Sequence, residues 1–211
     1  MIEEILPGSA MTAEAFGDEL FDAEIFPEEE RVIARAVAKR RNDFISARAC
    51  ARQALGKLGV DPVPILPGER GAPGWPPGIV GSMTHCEGYR AAAVARSSDL
   101  ISLGLDAEPD GPLPEGVLDQ IARAEELPRL AALPPGVHWD RLLFSAKESI
   151  YKTWFPLARR WLGFEEASVT FGRDGTFTAT ILQAGPPAAL AGTVHGRWLA
   201  RDGLVVTAIA V

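Results

Sequence analysis

With 211 residues, 47% of them hydrophobic and 23% charged, the chain can bury a core of its own without a metal or disulfide staple. A net charge of −7 argues against wholesale nucleic-acid binding, and no stretch is long and apolar enough to span a membrane. The two cysteines, Cys50 and Cys86, sit in no zinc spacing and read as reduced thiols, and Met1-Ile2-Glu3-Glu4 lacks the basic region of a secretory leader, which together point to a cytoplasmic protein.

The first predicted element is a helix over 28–58. Glu28, Glu29 and Glu30 follow Pro27 and suit a helix N-terminus, while Val37, Phe44, Ala51, Leu55 and Leu58 recur at helical spacing before Gly59. A break is expected near Asn42-Asp43. Basic residues crowd the segment: Arg35, Lys39, Arg40, Arg41, Arg48, Arg52 and Lys57. The proline- and glycine-rich stretch 59–81 predicts an ordered loop anchored by Trp75. Two strands are expected at 89–95 and 100–106, joined by a turn at Ser97-Ser98-Asp99, with Ile101, Leu103 and Leu105 alternating with Ser102, Gly104 and Asp106. Residues 110–136 predict loop and short helix. A helix over 139–155 ends at Pro156. Strands follow at 167–171, 176–182, 193–200 and 204–211, with hairpin signals at Asp174-Gly175 and Asp202-Gly203. Each half thus offers a helix and a small antiparallel sheet, an α/β chain of the α+β kind with its boundary near 105.

Three groups of residues could carry chemistry. Asp106 and Glu108 close a strand two residues apart, so both carboxylates face one side, where they repel unless a cation joins them. Magnesium suits such a pair, because it takes few carboxylates and fills its octahedron with waters and phosphate oxygens. A polar strand end would look the same. On the 139–155 helix, Leu143, Ala146, Ile150 and Trp154 form an apolar stripe and Arg141, Ser145, Glu148 and Lys152 a polar one. Glu148 and Lys152 equally suit a surface ion pair worth about 0.2–0.5 kcal/mol. The third group is Gly81-Ser82-Met83-Thr84-His85-Cys86, read as a loop whose small residues leave backbone amides open to an anion, with His85 either a further donor or a bystander. No nucleophile elbow, Walker loop or dinucleotide fingerprint occurs.

In chain order, Trp75-Pro-Pro-Gly through Gly81-Ser-Met-Thr-His-Cys, Gly104-Leu-Asp-Ala-Glu108 and Phe144-Ser-Ala-Lys-Glu-Ser-Ile-Tyr-Lys152 resemble the three hallmarks of the 4′-phosphopantetheinyl transferases. Arg40-Arg41-Asn42-Asp43-Phe44 and Trp161-Leu162-Gly163-Phe164-Glu165 resemble the actinobacterial members that act on large synthases. The resemblance implies two similar α/β halves, 1–105 and 106–211, in a pseudo-twofold arrangement with the active site at their interface. It implies transfer of phosphopantetheine from coenzyme A to a serine of an acyl or peptidyl carrier protein, with 3′,5′-ADP released, in fatty acid, polyketide or nonribosomal peptide synthesis. It further implies a magnesium ion, with manganese as a substitute, held by Asp106, Glu108, Glu148 and the Ala107 carbonyl. Glu148, Lys152 and Asp106 would be catalytic, and Arg40, Arg48, Arg70, Thr84, His85, Lys147, Lys152 and Leu162 would hold coenzyme A. Family members can carry a lysine where Pro67 stands, and Arg70 would supply that charge here. The carrier would dock near 159–162, and a monomer is expected. Two other readings use the same residues: a metal-dependent phosphohydrolase of coenzyme A or nucleotides, and a non-catalytic carrier-binding module.

Overall fold

Glu29 and Arg52 form a buried ion pair at 2.9 Å, and this contact decides how the basic N-terminal segment folds. In one continuous helix the two residues would lie about 35 Å apart, at 1.5 Å per residue. The computed structural model, which describes residues 1–211, accordingly splits the expected 28–58 helix into α1 (Pro27–Ile33) and α2 (Ala38–Lys57). The break falls at 34–37, whereas Asn42 and Asp43 lie inside α2. Glu29 is fully buried and also accepts the backbone N–H of Phe26 and of Ile65, so one carboxylate ties α1, α2 and the following loop together.

The chain divides into two compact units, Met1–Leu103 and Gly104–Val211. The first holds α1, α2 and a three-stranded antiparallel sheet of β1 (Met11–Phe16), β2 (Ile79–Cys86) and β3 (Tyr89–Arg96) in the order β1-β3-β2. Neither β1 nor β2 was expected. The residues expected to form a phosphate-binding loop are the body of β2, and their amides belong to a sheet ladder. Small side chains let α2 pack close to the sheet: Cys50, Ala51, Ala54 and Leu55 meet Ala13, Ala15, Ala92 and Val94. Burial pushes the free Cys50 thiol up to about 11, which keeps it protonated and inert. Trp75 anchors its loop as expected, donating its indole N–H to the Gly81 carbonyl at 2.9 Å.

The second unit contains a five-stranded sheet, short helices α3 (Val117–Ile121) and α4 (Glu126–Ala131), and the long helix α5 (Trp139–Ala158). Its strands are β4 (Leu103–Pro109), β5 (Ala167–Phe171), β6 (Thr176–Ile181), β7 (Thr193–Arg201) and β8 (Leu204–Ala210), in the order β4-β8-β7-β6-β5. The expected hairpin between 89–95 and 100–106 does not form, because β4 lies beside β8 in a different sheet from β3. Ile101 is 57% exposed and precedes the strand rather than facing a core. The four C-terminal strands lie where their alternation and turns put them. At the β7–β8 turn Asp202 and Gly203 have φ of 55° and 76°, the two left-handed residues that a tight hairpin of native twist requires. α5 packs on β8, where the hydroxyls of Ser145 and Thr207 meet at 2.9 Å, and its apolar stripe of Leu143, Ala146, Ile150 and Trp154 is buried, each residue at most 2% exposed. It runs one turn beyond the stop expected at Pro156, because a proline so near the end removes only the bond to the Lys152 carbonyl; Arg159, at φ 51°, ends it. The whole is a mixed α+β chain with two sheets.

Candidate functional site in the second unit

β4 and α5 meet at Gly104. A Cβ there would collide with the Ser149 carbonyl oxygen and the Thr153 hydroxyl, so only glycine permits the approach. Two residues further along β4, Asp106 is 5% exposed, and its Oδ1 accepts a 2.7 Å hydrogen bond from the Lys152 ammonium, which also bonds the Leu105 carbonyl at 3.1 Å. Lys152 is therefore committed to the strand rather than to Glu148, and the surface ion pair that helical spacing allowed does not form. Glu108, on the same side of β4, is met by Arg141 at 3.1 Å. Arg141 also donates to the carbonyls of Gly111 and Pro112, so it fixes the segment leaving the strand as well as the carboxylate. Its position on the polar stripe of α5 was legible, but its partner across the fold was not.

Glu148 completes an acidic cluster. Burial raises its pKa above the ordinary carboxylate value, the charge of Asp106 raises it further, and Lys152 opposes them. Glu108 is raised by the same two causes and lowered by Arg141. No three His, Cys, Asp or Glu side chains are grouped so as to hold a metal ion unaided. The donor chemistry nevertheless fits magnesium, which needs only one or two carboxylates when phosphate oxygens supply the rest. The strain of this cluster is measurable. A raised folded-state pKa means that the fold holds the Glu148 proton more tightly than the unfolded chain. That contribution is full below the ordinary 4.5 and fades as pH rises through the raised value. In chelator, Glu148→Gln is therefore expected to melt with the wild type in acid and above it at neutral pH. Equal melting at neutral pH would sink the assignment of electrostatic strain.

Beside Glu148 lies a cavity of about 100 Å³, lined among others by Lys147, Tyr151, Trp161, Leu162 and Phe164. Leu162 is buried, so it belongs to the wall rather than to an exposed docking patch, whereas Trp161 is 55% exposed and packs on Tyr151 with ring centroids 5.0 Å apart. Arg160 donates to the Ala184 and Gly185 carbonyls. The Lys147 ammonium is turned inward to Ile121, Glu126 and Phe164.

The first unit carries the other expected ligands. Arg40 is exposed on the first turn of α2. Arg48 is 7% exposed, stacks over Phe44 and donates Nε–H to the Ile65 carbonyl at 2.8 Å; burial pulls its pKa down to about 10. It is thus a clamp on the 59–78 loop, not a solvated arm. That loop closes on itself through a bridge between Pro67 and Pro73 and holds exposed Arg70 at its tip in a left-handed conformation, φ 53°. Thr84 is buried and His85 exposed, so their side chains leave opposite faces of β2. Among these five residues, the side chains open to solvent are those of Arg40, Arg70 and His85.

Family models match along the same division. The 4′-phosphopantetheinyl transferase N-terminal domain matches residues 28–95, and the 4′-phosphopantetheinyl transferase superfamily matches 102–209. The chain belongs to this superfamily. It is 56% identical over its whole length to the 4′-phosphopantetheinyl transferase Svp of Streptomyces mobaraensis, covering 89% of that protein. It is 52% identical to PptT of Mycobacterium tuberculosis, over 88% of this chain and 85% of the relative. It is 50% identical to Npt of Nocardia iowensis, over 100% and 99%. The expected membership, down to its actinobacterial branch, is borne out.

Proposed function

We infer that the protein transfers 4′-phosphopantetheine from coenzyme A to a serine hydroxyl of an acyl or peptidyl carrier protein. The observation that carries this reading is the pairing of Asp106 with Lys152 beside Glu108 and Glu148, in a chain of this superfamily. In the reaction, the serine oxygen bonds to the phosphorus that bears the pantetheine arm. The bond from that phosphorus to the bridging oxygen breaks, and 3′,5′-ADP leaves with the electron pair. Lys152, oriented by Asp106, faces the charge that grows on the leaving group. Glu148 takes the serine proton; its raised pKa makes it a stronger base than an ordinary carboxylate. Asp106 and Glu108, with Glu148 and the Ala107 carbonyl, would hold a magnesium or manganese ion, which when bound neutralises pyrophosphate charge.

Arg40, Arg70 and His85 suit the phosphates of coenzyme A, as exposed cationic or hydrogen-bonding groups. The cavity beside Glu148 suits part of the pantetheine arm, since Tyr151, Trp161, Leu162 and Phe164 offer a mainly apolar lining. No helix is long and apolar enough to cross a membrane, and we place the protein in the cytoplasm as a monomer. The phosphohydrolase reading gains no support from the relatives, which are transferases.

Mass spectrometry of an apo carrier incubated with the protein, coenzyme A and Mg²⁺ is expected to show one added phosphopantetheine on serine, with 3′,5′-ADP in equal amount. Chelator should abolish the gain and Mn²⁺ restore it. Coenzyme A consumed at the same rate without carrier would replace this reading with the hydrolase.

A further inference from the structure

The wall formed by 160–166 has little regular structure of its own, with only a 3-10 turn over Phe164–Glu166. Its backbone is instead fastened by side chains from elsewhere in the unit. The Arg160 carbonyl accepts from the Trp154 indole at 2.9 Å, and the Trp161 carbonyl from the Gln183 amide at 2.9 Å. The Phe164 carbonyl accepts from Lys147 at 2.9 Å, and the Glu165 carbonyl from Arg123. Glu166 then accepts the Gly163 N–H at 2.7 Å. An irregular segment held at so many points keeps one shape.

Lys147 is the innermost of these fasteners. Its side chain and that of Glu126 are each 1% exposed and meet at 2.7 Å. An ammonium has three protons, and those of Lys147 go to the Ile121 carbonyl at 2.7 Å, Glu126 at 2.7 Å and Phe164 at 2.9 Å. None remains for a phosphate. Glu126 in turn accepts the backbone N–H groups of Arg123 and Val169, so both of its oxygens are engaged.

We propose that Lys147 is a positioning residue rather than a coenzyme A ligand: with Glu126 inside and Gln183 outside, it sets the cavity wall that receives the pantetheine arm. The proposal rests on the reading that the cavity takes this arm. It separates from phosphate binding by amide exchange of the wall together with the ligand that feels the loss, because 3′,5′-ADP carries the phosphates of coenzyme A's nucleotide end but neither the arm nor the phosphate that joins it.

The test uses the whole protein as wild type, Lys147→Met and Gln183→Ala. Amide hydrogen exchange is followed over 160–166, and affinities for coenzyme A and for 3′,5′-ADP are measured by calorimetry. In Lys147→Met the wall should exchange faster and coenzyme A bind about tenfold more weakly, the scale of one buried acceptor left without its donor, while 3′,5′-ADP is unchanged. Because Lys147→Met also strands a buried carboxylate and can unfold the protein, Gln183→Ala, at a half-exposed position, tests the same wall from outside; a smaller loss of the same pattern is expected. Weakening of coenzyme A by Lys147→Met with unaltered exchange, whether or not 3′,5′-ADP weakens with it, would overturn the proposal and make Lys147 a phosphate ligand. Unchanged exchange and affinity in both variants would overturn it as well. If the wild type binds neither ligand, the coenzyme A reading fails, and exchange alone decides whether Lys147 and Gln183 set the wall.

Discussion

Asp106→Ala is expected to lower turnover of an apo carrier by about 10²–10³-fold, the scale of losing one preorganised charge-stabilising group, with little loss of fold stability. The reason lies in its two neighbours. Asp106 raises the pKa of both Glu108 and Glu148, so removing it relieves repulsion at two half-buried carboxylates. Against this stands its bond to Lys152, whose side chain is 27% exposed and can find water. Lys152→Ala should lower turnover on a similar scale. The measurement is turnover at saturating Mg²⁺ alongside thermal unfolding in chelator. A rate within tenfold of wild type in both variants would remove the pair from the chemistry. A large fall in melting temperature for Asp106→Ala would make it a structural residue instead.

Gly104→Ala is expected to damage stability and turnover together, the opposite signature. The added methyl would meet the Ser149 carbonyl and the Thr153 hydroxyl and lie 2.9 Å from the Thr153 nitrogen. These atoms cannot move aside easily. Two belong to the helix backbone, and the Thr153 hydroxyl already bonds the Ser149 carbonyl at 2.8 Å. The helix must shift, at about 1–3 kcal/mol for overpacking, or roughly 2–12 °C in melting temperature for a chain of this size. The same shift parts Lys152 from Asp106, so turnover should fall well below wild type even at a temperature where the variant is fully folded. Normal turnover in a folded, destabilised variant would show that the spacing of β4 and α5 does not set the site.

The parts of the fold legible in the sequence are those whose burial shows as a period. α5 carries its apolar stripe at intervals of three and four, and β5 to β8 alternate between turns that need left-handed residues. β1 and β2 hide because the sheet core is built from small side chains, whereas β3 is legible as a strand at 89–95 but its partners are not. Ala13 and Ala15 are the buried residues of β1 that face α2, and Ser82 and Thr84 lie on the buried face of β2, so neither strand shows an alternation of large hydrophobic residues. The break between α1 and α2 is enforced by Glu29 reaching Arg52, a contact across 23 positions that no local pattern encodes. The site divides in the same way. Asp106, Glu108, Glu148 and Lys152 could be named from strand and helix geometry. That Lys152 turns to Asp106, that Arg141 holds Glu108, and that Lys147 and Arg48 spend their donors inside the protein depend on which elements pack together.

α5 buries eleven of its twenty residues, and Arg141, Glu148 and Lys152 on its remaining side belong to the candidate site. The helix therefore has few positions at which mutation is neutral. Selection for a different carrier can gain little by altering this element, because nearly every change is charged against folding or chemistry first. Drift in partner preference should instead accumulate where side chains point outward away from the cavity, as at Leu182, leaving α5 the slowest-changing part of the unit while its surroundings diversify.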